Sequence, residues 1–134
     1  MTGGVKMWAK IEEFKEYGSV LQSAAETNTE LFCSDSGVGW RLAELPVVEE
    51  SIAFLSLHDN TPEVFIPLEG TTILKVAKKA DFSDCKVFLI DRPLMIDPGV
   101  WHGLACVNGV SRLLLVENRE VHLEKKKIER SRGE

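Results

Sequence analysis

From residue 40 to residue 117 apolar and polar side chains alternate with a period of two, and Pro, Gly, Asn and Asp interrupt the alternation at short intervals. That is the pattern of many short antiparallel strands. Trp40, Leu42 and Glu44 alternate with Arg41, Ala43 and Leu45 until Pro46 breaks the run. Residues 51–58 form the clearest strand, with Ile52, Phe54, Ser56 and His58 on one face and Ala53, Leu55 and Leu57 on the other. Asp59, Asn60, Thr61 and Pro62 are turn residues. Residues 63–68 follow, with Glu63, Phe65 and Pro67 on a common face. Gly70 begins a turn, 71–77 is a further strand, and 78–84 is a charged connection.

Strands at 87–90 and 94–96 flank the turn Asp91-Arg92-Pro93, and Asp97-Pro98-Gly99 leads into the last pair. Residues 101–107 and 111–117 surround Asn108-Gly109, the strongest short hairpin signal in the chain, and predict a type I′ hairpin. Ahead of all this, residues 1–8 read as an extended lead-in and 11–17 as one short helix stopped by Gly18. Residues 20–22 start a strand, and the polar, glycine-bearing stretch 23–39 is a loop. Residues 124–134 are almost all charged and predict a frayed helix or a flexible tail. Together these elements predict a mainly β chain, a single antiparallel barrel or sandwich with one short N-terminal helix.

Bulk properties narrow the function classes. A length of 134 residues suits one domain spanning 1–134, with 123–134 as its charged tail, and 44% hydrophobic residues can fill its core. A net charge of -5 offers no counterion release from a phosphate backbone, so no nucleic-acid partner is expected. No apolar run approaches the roughly 20 residues that span a bilayer, and no leader pattern opens the chain. No membrane association is expected. Cys33, Cys85 and Cys106 form no CxxC pair and fit reduced thiols, which points to a cytoplasmic protein.

The chemistry-bearing candidates are His58, Glu63 and His102. His58 ends one apolar strand and Glu63 starts the next, so both can face one interior; the spacing equally allows a solvated hairpin rim. His102 follows a Pro-Gly turn that could deliver its ring into a barrel mouth, or it could bond a backbone carbonyl of its own loop. Neutral imidazole and carboxylate serve either as ligands for a divalent metal (Mn, Zn or Fe) or as an acid–base pair. Phe65 and Trp101 are candidate walls of a substrate site, and an indole at a strand start is equally a packing residue. Lys75 is either an interior cation or the outward side of its strand. Glu117, alternating with Leu113 and Leu115, either completes the polar cluster or pairs with Arg119 or Arg92.

These residues resemble the two motifs of the cupins. In the first, Ser56 stands where a histidine is usual, and His58, Glu63 and Gly70 fill the remaining places. In the second, Gly99 and His102 match, Pro98 is displaced by one position, and Cys106 replaces an asparagine. The chain is similar in more detail to the ureidoglycolate lyase family, itself cupin-like. The shared features are Phe14, Tyr17, Gly18 and Val20; His58 followed by Glu63, Phe65, Ile66, Pro67, Leu68 and Gly70; Val100, Trp101 and His102; and the acidic Glu117. They keep their order over roughly residues 10–120. Gly103 stands where that family often carries another histidine. The resemblance implies a cupin barrel (a double-stranded β-helix) that pairs as a homodimer, with catalytic His58, Glu63 and His102. It also implies a small-molecule carboxylate ligand, with ureidoglycolate cleaved to glyoxylate and urea. A cupin of another specificity, or one that binds without turnover, stays open beside it. Fold and site can persist while a substrate changes.

Overall fold

The computed structural model of the chain describes residues 8–21 and 39–129. Residues 1–7 of the expected lead-in, the expected loop over 23–38 with Cys33, and residues 130–134 of the charged tail lie outside them. A short 3-10 helix, Ile11–Glu16, opens the described part, its first turn held by the Glu13 carboxylate accepting from the Lys10 backbone N–H at 3.0 Å. Eight strands follow: β1 (Gly18–Val20), β2 (Trp40–Val47), β3 (Phe54–His58), β4 (Glu63–Ala77), β5 (Lys86–Leu89), β6 (Leu94–Ile96), β7 (Trp101–Asn118) and β8 (Leu123–Lys127). They form one antiparallel sheet in the order β1-β6-β4-β7-β3-β8, with β2 on β7 and β5 on β4. The sheet is curled, and its inner face is the core: Phe65, Leu74, Val76, Phe88, Leu94 and Leu113 are all buried there. The 3-10 helix closes one end by setting Phe14 edge-on against Phe88, with ring centroids 5.2 Å apart.

Five elements differ from the sequence expectation, each for a physical reason. Pro46 does not end its strand. β2 continues to Val47 and, among the described residues, pairs only with β7, and an edge strand tolerates a missing N–H. Gly18 is not a helix cap with left-handed backbone. It begins β1 under the Met95 carbonyl, which an added Cβ would approach to 1.7 Å.

The turn at Gly70 and the hairpin at Asn108-Gly109 are both absorbed into longer strands. β4 and β7 run antiparallel from Ala77↔Trp101 through Thr71↔Val107, and resume at Glu69↔Arg112. Four residues of β7 (108–111) therefore pass one of β4, Gly70. Asn108 (φ 64) and Gly109 (φ 101) supply the positive dihedrals of that excursion, and Gly70 (φ 72) supplies the matching kink where an added Cβ would meet the Val110 carbonyl at 2.7 Å. Local turn chemistry is thus satisfied by a bulge, because pairing continues along β4 on both sides of it. Finally, in the charged segment expected as a frayed helix or a flexible tail, Leu123–Lys127 forms β8 against β3.

Candidate metal and substrate site

Strand alternation brings the three principal candidates to one place. On β3, Ser56 and His58 point inward; on β4, Glu63 and Phe65; on β7, His102, Leu115 and Glu117. All line one cavity of about 820 Å³. Ser56 lies opposite His102 across the β3–β7 pair, and Val64 lies opposite Val116, which sets Glu63 beside Glu117. The Asp97-Pro98-Gly99 turn fixes the corner, because the Gly99 N–H donates to the His58 carbonyl at 2.7 Å. His58, Glu63, His102 and Glu117 are all buried, between 4% and 8% exposed. The solvated-rim alternative for His58 and Glu63 is thereby excluded.

The cluster is short of partners. Glu63 Oε1 lies 2.7 Å from His102 Nε2 and 3.7 Å from His58 Nδ1, and Glu117 Oε1 lies 3.6 Å from that same Nδ1. Yet His58 Nδ1, Glu63 Oε1 and Glu117 Oε1 make no hydrogen bond of acceptable geometry; among the described residues they are the buried side-chain N and O atoms left without one. An unmet buried polar atom costs about 1–3 kcal/mol, more for a charged group, so three in one place call for an occupant.

His102 sharpens the point. Its Nδ1 lies 3.0 Å from the Val100 carbonyl, an oxygen that only accepts, so Nδ1 carries the proton. Nε2 of the neutral ring is then a lone pair facing a carboxylate oxygen, which requires either a proton or a cation between them. Both alternatives raised for His102 therefore hold together: the ring bonds its own loop and still points into the cavity.

The four groups titrate in different directions. Burial holds His58 below the ordinary imidazole range. Burial works against a charged His102, but the adjacent Glu63 carboxylate outweighs it and holds this ring above its usual value. Burial likewise opposes ionisation of Glu63, and the neighbouring imidazoles overcome it, leaving Glu63 low. Glu117 is raised by burial and by the charge of Glu63, against the pull of Arg41.

Ligand atoms of His58, Glu63 and His102 all lie within 4.8 Å of one another. Metal–ligand bonds of about 2.1 Å place neighbouring ligand atoms roughly 3–4 Å apart. The His58 distances fall in that range, and the His102–Glu63 approach is somewhat shorter. The donor set fits a divalent metal.

The remaining expectations divide. Phe65 lines the cavity wall. Trp101 does not: it packs on the opposite face with Leu55 and Ala77, its ring 5.4 Å from that of Phe82. Lys75 shares the outer side with Ile73 and borders a smaller depression with Trp8 and Val87, away from the cluster. Glu117 pairs with neither Arg119 nor Arg92. Its partner is Arg41, whose Nε donates to Oε2 at 2.9 Å and whose second guanidinium nitrogen also reaches Oε2. Sequence reasoning missed Arg41. Its inward parity with Leu45 was readable, but not its register opposite Glu117. It also missed Lys125, which β8 brings to the cavity edge over the Phe54 ring.

No protein-family model matches the chain, and no curated protein sequence does. Solved structures do. A dTDP sugar isomerase from Desulfovibrio desulfuricans aligns with TM-score 0.54 and 14% identity over 83% of this chain and 74% of its own. Peruvianin-I, a cysteine peptidase from Thevetia peruviana latex, aligns with TM-score 0.56 and 13% identity over 68% of this chain and 58% of its own. A cupin 2 domain-containing protein from Halorhodospira halophila gives TM-score 0.51 and 12% identity over 69% and 60%. The chain thus spans about three-fifths of the length of the last two. At these identities the likeness is one of fold, and the fold is the cupin β-barrel. No helix among the described residues is long and apolar enough to cross a membrane.

Proposed function

We propose that this protein is a cupin enzyme of the ureidoglycolate lyase type, acting on a small polar carboxylate at a divalent metal held by His58, Glu63 and His102. The observation that carries this reading is the convergence of three unpartnered polar atoms in one cavity. A metal there would supply Lewis-acid polarisation of a substrate oxygen. The chain's own residues would do the rest. Arg41 and Lys125 line the cavity and present cations to a carboxylate. Phe65, Leu104 and Leu115 wall off water on the inner side.

With (S)-ureidoglycolate, the step removes a proton from the hydroxyl as it becomes the carbonyl of glyoxylate. The carbon–nitrogen bond breaks, and one proton goes to the departing urea nitrogen. The exchange is proton-neutral and needs no oxidant.

The 2.7 Å approach of His102 to Glu63 favours a second reading without metal. In it, His58, kept neutral by burial, takes the hydroxyl proton, and His102, kept charged by Glu63, returns one to the leaving nitrogen. Glyoxylate release from (S)-ureidoglycolate, before and after chelation and reloading with manganese, separates the two. Loss on chelation with recovery on reloading supports the metal reading, and activity indifferent to chelation supports the second. No release by folded protein, alongside a His102→Ala control, would reject the lyase assignment and leave a cupin of another small-molecule specificity.

A homodimer through β2 belongs to the same proposal. Trp40 and Leu42 stand exposed on its outer face, and among the described residues β2 pairs only with β7. A single-chain mass in sedimentation velocity would refute it.

A further inference from the structure

We infer that Glu117 is a fourth ligand of the metal, held in place by Arg41; this rests on the reading that the His58, Glu63 and His102 cluster binds one. The side chain of Glu117 is 2% exposed, and its two oxygens are in different situations. Oε2 takes both contacts from Arg41. Oε1 has no hydrogen-bond partner and lies 3.6 Å from His58 Nδ1, which Glu63 Oε1 also approaches, at 3.7 Å.

A carboxylate with one oxygen clamped and the other bare, aimed at two unpartnered ligand atoms, has the geometry of monodentate coordination supported by an outer partner. Without a cation, two ionised carboxylates would lie buried beside each other with Arg41 contacting only Glu117 Oε2. That leaves Oε1 uncompensated, a costly arrangement for a buried charge. A divalent cation held by His58, Glu63 and His102 would remove the conflict by giving the bare Glu117 oxygen a positive partner. The centre is then two imidazoles and two carboxylates, a set that favours a hard divalent ion such as manganese or iron over a thiophilic one. Arg41 acts here as a positioning residue. Its long arm, 51% exposed, reaches in from β2 to hold a carboxylate that β7 delivers.

Two measurements test the assignment. Manganese titrated into chelator-stripped wild type and into Glu117→Gln should show affinity lowered ten- to a hundredfold in the variant, with Glu44→Gln, on the outer face of β2, unchanged. A crystal structure of the manganese-loaded wild type needs no variant, and should place Glu117 Oε1 at bonding distance, about 2.2 Å. Equal manganese affinity in a folded Glu117→Gln, or a Glu117 oxygen more than about 3 Å from the ion, overturns the fourth ligand and leaves the three-residue centre standing. Wild type that binds no manganese, zinc or iron overturns both.

Discussion

Gly103 is where fold and site meet most closely, and replacing it with alanine should damage both. Gly103 follows His102 on β7 and lies beneath the entry of β3. A Cβ there would come within 2.7 Å of the Phe54 carbonyl, 2.8 Å of Ile52 Cγ2 and 2.9 Å of Leu55 Cδ2. Side-chain tips can turn aside, but the Phe54 carbonyl belongs to a backbone paired with Lys127 of β8 and cannot. β3 must therefore move outward. Overpacking of this kind costs about 1–3 kcal/mol, and the backbone contact argues for the upper half, about 2–3 kcal/mol. For a chain of this size that is a fall in Tm of roughly 8–12 °C.

β3 also carries Ser56, paired with His102, and His58, whose ring lies 4.9 Å from that of His102. The displacement should therefore lower manganese affinity as well as stability. Urea unfolding followed by tryptophan fluorescence measures the first loss, and manganese titration the second. Gly109→Ala is the control. Its φ of 101° makes alanine cost about 1–2 kcal/mol, but nothing lies within 4 Å of the added Cβ and the site should be untouched. A Gly103→Ala protein within about 0.5 kcal/mol of wild type, with unchanged manganese affinity, would refute this account of how β3 and β7 set the histidine pair.

Asp84 accepts from the backbone N–H groups of Lys78 and Lys79 at 3.0 Å each, which outweigh partial burial and hold its carboxyl below the usual value. Its contribution is present above the ordinary aspartate range and lost as pH falls through the lowered value. Asp84→Asn should cost about 1 kcal/mol at pH 7 by urea unfolding and progressively less in acid. His102 has the opposite sign. Its pKa is raised on folding, so its stabilisation is complete below the ordinary histidine value of 6.5 and fades as pH rises through the folded value. In chelator-treated protein, His102→Gln should lose more stability at pH 6 than at pH 9, and an equal loss at both would contradict the ionised contact with Glu63.

Much of the site was legible because strands have a period of two. Once 51–58 and 63–68 are strands, Ser56 and His58 share a face and Glu63 and Phe65 share a face; only the joining of those faces needed the structure. The same parity places Trp101 and His102 on opposite sides of β7, so one strand could not give both to the cavity. Lys75 pairs with Gly103 rather than with His102, and so faces outward with Trp101.

What could not be read was long-range register. Gly70 and Asn108-Gly109 carry genuine turn signals, and nothing local separates a reversal from a bulge. The pairing of β4 with β7 on both sides decides it. The partner of Glu117 is 76 residues away, and Arg41 finds it only because β2 lies along β7. β8 has no apolar alternation to announce it, and it forms because the edge of β3 is there to be paired.

Calorimetric titration of manganese into chelator-stripped protein decides whether His58, Glu63 and His102 are ligands gathered around one ion. The account predicts one ion per chain, with binding abolished in His58→Ala and in His102→Ala proteins that remain folded. Absence of binding to wild type, or binding that survives both substitutions, would contradict it.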